Sequence, residues 1–293
     1  MNILYDLKQQ YKVGDLTIKL IFWNVILFVF STLIITLLKI TGKELNFYEW
    51  IALSSNLQNF FYKPWTLVSY CFFHSNLVHL IFNMLMLHFA GRIFTTYFTQ
   101  KQLLSVYVLG GLFAGLIYIL IYLLFPFLSN QAVLLVGASA SIMAIVFATA
   151  TYQPYMNLRL ALFGNVYVWQ IALVFLVVDL IQLPLENTGG HISHLGGAFF
   201  GFFYVKLLQK GIDLGRVINE FLARIDAVFT KKKATPFKTI HKNVTLSSNE
   251  VKSRVIRKDK TQQQIDEILD KISQSGYESL TKEEKEFLFR AGK

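Results

Sequence analysis

Long apolar segments separated by short polar ones dominate the first 210 residues. The first, residues 16–38, is long enough for an α-helix to cross the hydrocarbon core of a membrane, and it lacks a small-residue cleavage site, so we interpret it as a retained membrane helix rather than a signal peptide. Five more apolar segments follow at residues 77–94, 103–127, 139–152, 166–183 and 192–208. The pattern predicts an all-α fold: a polytopic membrane protein with a bundle of six transmembrane helices.

The polar segments predict how the rest of the chain is divided. Residues 1–15 form a short N-terminal tail, and the bundle occupies residues 16–210, including a long aromatic-rich connection of the kind that lies at a membrane interface. Residues 211–260 are basic and polar, which favours a juxtamembrane helix and then a flexible linker. In residues 261–293 apolar positions at helical spacing, with Ser279 or Thr281 as a cap, predict a short helical hairpin in which we find no chemistry.

The basic residues predict the orientation of the helices. They lie in the N-terminal tail, in the second-to-third and fourth-to-fifth connections and in the C-terminal tail, whereas the third-to-fourth and fifth-to-sixth connections have none. The exception is the first connection, which carries Lys43 and Lys63. We therefore expect a multi-pass protein of the cell membrane with both termini in the cytoplasm.

Composition excludes several classes of protein. With 54% hydrophobic and 16% charged residues, the chain is too apolar for an ordinary soluble protein. Its net charge of +10 would suit nucleic acid, but the basic residues concentrate after residue 205 and near helix ends, with no basic face of interleaved aromatics, so we expect lipid headgroups and no nucleic acid as partners. The single cysteine, Cys71, excludes an internal disulfide and a cysteine-based metal cluster.

Polar side chains gather at one predicted depth. The second, fourth and sixth helices all run inward from the outer face, and their first turns hold His79, Asn83, Ser139, His191 and His194. Polar groups at membrane depth are costly, so a functional role is the default interpretation. Because His79 and Asn83 are four residues apart, they share a helix face, where they would either bond to another helix or donate to an oxyanion.

A serine and a histidine among these residues suggest nucleophilic catalysis. Ser139 opens the fourth helix among small residues, including Gly137, which suits either close packing or a serine nucleophile. On the sixth helix Gly197 and Gly201 leave a stripe without side chains, and Ala140 and Ala144 form a matching stripe on the fourth. If the stripes face each other, Ser139 and His194 come within hydrogen-bond reach and form a catalytic dyad.

The remaining polar residues receive plainer interpretations. Asp179 reads as a solvated or helix-end carboxylate, so we expect no carboxylate to complete a triad. His191 and His194 resemble half of a metal site, but the spans contain no cysteine or carboxylate partner at ligand spacing, and we expect neither metal nor cofactor. His74 precedes the second helix and is interpreted as an interfacial histidine or as an auxiliary site residue that acts through a water or loop contact.

Three motifs in order resemble the rhomboid family of intramembrane serine proteases. They are Pro64-Trp65 with Phe72-Phe73-His74-Ser75-Asn76-Leu77-Val78-His79 and Asn83-Met84, then Gly137-Ala138-Ser139-Ala140, then His194-x-x-Gly197-x-x-x-Gly201. The resemblance covers roughly residues 15–210 and leaves out the soluble tail. It implies that Ser139 is the nucleophile, that His194 is the general base and acid, and that His79, Asn83 and the Ser139 N–H form the oxyanion hole.

The resemblance also implies a substrate class. Family substrates are single transmembrane helices that unwind near the outer face and are cut beside small residues, without a cofactor. The chain departs from the common family pattern at Ala140, where many members have glycine, at Met143, where many have an aromatic residue, and at Trp50-Ile51, where a Trp-Arg pair is often seen. None of these departures removes a reacting group.

Two functions of different class follow. The first is an intramembrane serine endopeptidase. The alternative is a catalytically impaired rhomboid-like protein that binds membrane helices without cutting them. A transporter is a poorer match, since it would spread polar groups to mid-membrane on several helices.

Overall fold

The computed structural model describes residues 3–42, 46–128, 132–160, 164–229 and 248–291. The chain divides into two compact units, Met1–Lys231 and Lys232–Lys293. The described helices of the first unit are α1 (Ile3–Val13), α2 (Leu16–Ile40), α3 (Tyr48–Ile51), α4 (Leu57–Tyr62), α5 (Thr66–Ser69), α6 (Leu77–Phe94), α7 (Gln100–Leu124), α8 (Ser139–Tyr152), α9 (Val168–Gln182), α10 (Thr188–Gln209) and α11 (Gly215–Phe229).

The helices α2, α6, α7, α8, α9 and α10 coincide with the six predicted apolar segments, and their ends differ from the predicted ends by at most four residues. Among the described helices, α2, α6 and α7 are long and apolar enough to cross a membrane, and α8 and α9 are shorter apolar helices. The protein is therefore a helical membrane protein.

Helix α8 lies at the centre of the first unit. It packs against α6, α7 and α10, and nine of its fourteen residues are buried, which are Ala140–Val146, Ala148 and Thr149. A Cβ atom placed on Gly197 would overlap the carbonyl oxygen of Ala140, and one placed on Gly201 would overlap that of Ala144. The two small-residue stripes thus bring the backbones of α8 and α10 into direct contact, as close packing of membrane helices requires.

Buried tyrosine hydroxyls hold the connecting segments onto α7. The hydroxyl of Tyr107 donates to the carbonyl of Cys71 at 2.8 Å, and that of Tyr118 donates to the carbonyl of Val133 at 2.9 Å. In the opposite direction, the hydroxyl of Tyr70 donates to the carbonyl of Gly111 on α7 at 2.7 Å. Each bond gives a buried tyrosine hydroxyl a backbone acceptor.

Short strands were not predicted by the sequence pattern. Strand β1 (Leu53–Ser54) pairs antiparallel with β2 (Leu134–Leu135), and β3 (Asn157–Leu160) pairs antiparallel with β4 (Gly164–Tyr167). Segments this short carry too few residues to show a period-two alternation. The β1–β2 pair matters for the site because it joins the first long connection to the segment that leads into Ser139.

The second unit is a helical hairpin. It contains α12 (Ser248–Ser275) and α13 (Lys282–Ala291), joined by a turn at Tyr277–Ser279. The N–H of Glu284 donates to the Thr281 hydroxyl at 3.3 Å and the N–H of Thr281 donates to the Glu284 carboxylate at 2.8 Å, so Thr281 caps α13. The helix α12 begins inside the predicted linker 211–260, and the basic run at residues 231–233 lies outside the described residues.

We predict that Gly197→Ala and Gly201→Ala each lower the stability of the bundle. The added methyl group has to push apart two backbones that touch, and overpacking of this kind typically costs about 1–3 kcal/mol. Thermal unfolding in detergent micelles measures the effect, with Phe202→Ala, an exposed position on α10, as the control. Glycine variants as stable as the Phe202 variant would contradict this description of the contact.

Candidate active site

The first turns of α6, α8 and α10 surround a cavity of about 640 Å³, which also reaches the last turn of α9. Its polar lining includes Ser75, His79, Asn83, Ser139, Asp179, His191 and His194. The structure therefore places the polar residues predicted on three different helices around one cavity. His74, which precedes α6, does not line it.

Ser139 and His194 face each other across this cavity. The Ser139 Oγ lies 2.7 Å from the His194 Nε2, a hydrogen bond between two half-buried side chains. Ser139 is also the first residue of α8, where backbone N–H groups have no partner within the helix and the helix dipole favours negative charge. The arrangement can deprotonate a hydroxyl beside a site suited to an anion.

His79 and Asn83 line the cavity from α6, and short contacts fix both. The Asn83 Nδ2 donates to the backbone carbonyl of His79 at 2.9 Å, which uses one of its two amide hydrogens. The His79 Nδ1 lies 3.1 Å from the Ser75 Oγ, and this oxygen accepts a hydrogen bond from the Asn76 Nδ2 at 3.3 Å. The Ser75 hydroxyl can donate its hydrogen to the His79 Nδ1, and in that arrangement the proton of the imidazole lies on Nε2.

Gly137 allows the segment before Ser139 to lie against the His79 ring. It has a φ of +133°, and an added Cβ atom would lie 2.8 Å and 2.9 Å from two ring atoms of His79. Its N–H donates to the carbonyl of Tyr70 at 2.9 Å, which fixes the segment to the first connection. Both the backbone conformation and the contact require glycine here.

The expectation that no carboxylate is placed to complete a triad is wrong. The Asp179 Oδ1 lies 2.8 Å from the His194 Nδ1 and 2.7 Å from the His191 Nδ1. Asp179 is 5% exposed, so it is not a solvated helix-end carboxylate. The error arose because the distance between Asp179 and His194 depends on how α9 packs against α10, which spacing along the chain does not reveal.

The same three residues have the chemistry to hold a metal ion. One ligand atom from each of Asp179, His191 and His194 lies within 4.8 Å of the others, and two nitrogens with one carboxylate oxygen is a donor set that zinc accepts. In the structure the Nδ1 atoms of both histidines contact the Asp179 Oδ1, and the His194 Nε2 contacts the Ser139 Oγ, so these atoms take part in hydrogen bonds.

His74 lies next to His79 but does not itself line the cavity. It is fully buried, its ring stands edge-on to that of His79 with 5.1 Å between centroids, and it does not line the cavity. Neither ring nitrogen has a hydrogen-bond partner in the part of the chain that the structure describes. Burial, and secondarily the neighbouring His79, lowers the pKa of His74 to about 3, so the ring is neutral at physiological pH. The ring contact with His79 connects it to the residues that line the cavity.

Sequence reasoning gave no role to Ser75 and Asn76, which it named only as part of a motif, and it interpreted Asp179 as a carboxylate outside the site. Asn76 caps α6 by accepting the His79 N–H at 2.8 Å, so one residue both starts the helix and steers the Ser75 hydroxyl. A signal was present for Asp179, since it is the only carboxylate within its predicted apolar segment, residues 166–183.

Comparison with known proteins agrees with the motifs. The family model of the rhomboid domain matches residues 62–211, which is half of the chain. This chain belongs to the rhomboid family. A relative, presenilin-associated rhomboid-like protein A, mitochondrial, from Danio rerio, is 28% identical over 142 residues, which cover 46% of this chain and 35% of that protein. The aligned part thus spans about a third of the relative's length.

A second family model matches the C-terminal hairpin. Residues 255–291 match a family of unknown function, DUF6576. The match lies within the unit that contains α12 and α13, whereas the rhomboid match ends at residue 211, so the two models describe different parts of the chain.

Two of the positions at which this chain departs from the common rhomboid pattern are buried. Ala140 is buried, and its carbonyl oxygen faces Gly197. Met143 is also buried and lines the cavity one turn below Ser139, where its flexible thioether adapts to the surrounding side chains.

We predict that Gly137→Ala slows the reaction of Ser139 with a fluorophosphonate probe by on the order of tenfold or more, because the methyl group displaces the His79 ring. The control is Gly164→Ala at the start of β4, where φ is also positive, at +70°, but no neighbouring atom of the described residues lies within 4 Å of the added methyl group. Equal labelling rates for the two variants would show that the contact with His79 is irrelevant to the serine.

Proposed function

We propose that this chain is an intramembrane serine endopeptidase that hydrolyses peptide bonds in transmembrane segments near the outer face of the membrane. The observation that carries the proposal is the 2.7 Å contact between the Ser139 Oγ and the His194 Nε2. In this mechanism the imidazole takes the hydroxyl proton as Ser139 attacks the scissile carbonyl, and it then gives the proton to the leaving amine. Water enters next and hydrolyses the acyl-enzyme by the same route.

The oxyanion that forms during attack needs hydrogen-bond donors. We assign this role to His79, Asn83 and the backbone N–H of Ser139. Three observations support the assignment: the Ser75 hydroxyl, which can donate to the His79 Nδ1 and so leave the proton of that ring on Nε2, the second amide hydrogen of Asn83, and the position of Ser139 at the N-terminus of α8. Donors held in place before the reaction stabilise the developing charge without reorganisation.

The lining of the cavity supports a membrane-embedded substrate. Beyond the polar groups, the lining is apolar, with Phe82 and Met86 on α6 and Phe175 and Val178 on α9. Such walls suit the apolar side chains of a transmembrane segment. The segment has to unwind locally, because a helical peptide bond has its carbonyl engaged in a hydrogen bond, and helix-weakening residues at the cleavage point lower that cost.

We propose six membrane spans, formed by α2, α6, α7, α8, α9 and α10. The short α8 is supported in this role because neighbouring helices bury most of its length, so its ends do not have to match the full thickness of the lipid. The distribution of basic residues supports cytoplasmic termini in the cell membrane. Lipids and transmembrane substrates are the proposed partners, and no cofactor, metal or nucleic acid is required.

The alternative function is binding of membrane helices without cleavage. A non-cleaving protein would need a defect other than the loss of the serine or the histidine, since both are present and hydrogen-bonded. Activity measurements on the purified chain therefore separate the two functions.

We predict that Ser139→Ala abolishes cleavage of a model transmembrane substrate by the full chain in bicelles, because the hydroxyl that His194 activates in the proposed mechanism is then missing. The control is Ser141→Ala, a buried serine two residues further along α8 that does not line the cavity. Cleavage by the Ser139 variant at the native rate would refute the assignment and favour the helix-binding alternative.

We predict a smaller loss for Asn83→Ala. Removing one oxyanion donor typically costs on the order of 10²–10³-fold in kcat, and catalysis survives on the remaining donors. Because the donor acts mainly on the transition state, KM should change little. A native kcat for this variant would remove Asn83 from the oxyanion hole.

A further inference from the structure

We propose that Asp179 is a positioning residue that extends the Ser139–His194 pair into a serine–histidine–aspartate relay, and that His191 holds this aspartate in place. This proposal rests on the protease function proposed above and adds two residues to its mechanism. It concerns the side of His194 that faces away from Ser139.

The geometry indicates which of the two nitrogens of the His194 ring carries the proton. Nδ1 lies 2.8 Å from the Asp179 Oδ1, and an ionised carboxylate only accepts hydrogen bonds, so Nδ1 carries the proton. In the neutral ring Nε2 is then the unprotonated nitrogen, and Nε2 faces the Ser139 hydroxyl at 2.7 Å. Asp179 thus selects the tautomer in which His194 is a base toward Ser139.

The second contact of the carboxylate explains how it is held at membrane depth. His191 Nδ1 lies 2.7 Å from the same Oδ1, one helical turn before His194 on α10. Among the described residues, the basic side chains within 4 Å of the Asp179 carboxylate are these two histidines, and no lysine or arginine lies that close. The carboxylate loses its hydrogen bonds to water when it is buried, and the two N–H groups replace them.

Burial of the carboxylate makes the relay effective. The Asp179 side chain is 7% exposed, and those of His191 and His194 are 12% and 21% exposed. Attack by Ser139 turns His194 into an imidazolium, whose charge the adjacent carboxylate stabilises more strongly than it would in water. During the step the serine proton moves to Nε2 while Asp179 keeps its charge and Nδ1 keeps its proton.

A purely structural role for Asp179 competes with the relay. Only Val168, Ala172 and Asp179 are buried on α9, so the hydrogen bonds to α10 also attach this helix to the bundle. The two roles differ in what they change. An anchoring role affects unfolding and substrate binding, whereas stabilisation of an imidazolium that exists only during the reaction affects kcat.

The test compares Asp179→Asn with the native chain, using a model transmembrane substrate in bicelles. The amide keeps the shape of the carboxylate but not its charge. We expect kcat to fall by on the order of a hundredfold or more, with KM and the unfolding midpoint close to native. Asp179→Glu should recover part of the lost kcat because it restores the charge. A native kcat in Asp179→Asn would overturn the proposal, as would a low kcat that follows a lowered unfolding midpoint and is not recovered in Asp179→Glu.

A matched pair at His191 tests the second contact. His191→Asn keeps an N–H donor near the position of Nδ1 and should retain most of the native kcat, whereas His191→Ala removes the donor and should lower kcat several-fold. Equal kcat values for the two variants would remove His191 from the relay.

Two controls distinguish failure of the relay from failure of the protease function and from metal binding. Ser139→Ala is measured in the same assay: if it still cleaves, the protease function itself fails, whereas an inactive Ser139→Ala beside a fully active Asp179→Asn refutes only the relay. The native chain should also keep its kcat after chelation by EDTA. A loss that zinc restores would mean that Asp179, His191 and His194 bind a metal instead, and would overturn the relay.

Discussion

The backbones of α8 and α10 touch where Gly197 and Gly201 lie over the carbonyls of Ala140 and Ala144. A methyl group on either glycine would separate the helices, and the hydroxyl at the start of α8 would then move away from the imidazole on α10. The 2.7 Å distance between Ser139 and His194 therefore depends on the absence of side chains one and two turns away. Packing density and chemistry are linked here because a reacting pair shared between two helices is only as well placed as the helices themselves.

Two short hydrogen-bond chains organise the polar end of the bundle. One runs from Asp179 through His194 to Ser139, and the other from Asn76 through Ser75 to His79. The Asp179 carboxylate places the proton of His194 on Nδ1, so that His194 presents an unprotonated Nε2 to the serine, as a base must. A Ser75 hydroxyl that donates to the His79 Nδ1 places the proton of His79 on Nε2, which is the form that an oxyanion donor needs.

Most of the fold was predictable because its signals are local. Apolar length located the six helices, and the resemblance to the rhomboid family, confirmed by the family match, was carried by His79, Asn83, Ser139 and the glycines after His194. Asp179 was misjudged because its contact with α10 spans fifteen residues and a change of helix. The β1–β2 pair escaped prediction for a similar reason, since a pairing between residues 53 and 135 leaves almost no trace in either two-residue segment.

Activation of Ser139 by His194 is the step on which the proposed chemistry depends, and covalent labelling measures it without a substrate. A mechanism-based serine hydrolase inhibitor is incubated with the full chain in bicelles, and the adduct is located by peptide mass spectrometry in the native protein and in His194→Ala. We expect one adduct, on Ser139, in the native chain and almost none in the variant. Equal labelling of Ser139 in the two proteins, or an adduct on another residue that survives Ser139→Ala, would contradict this activation.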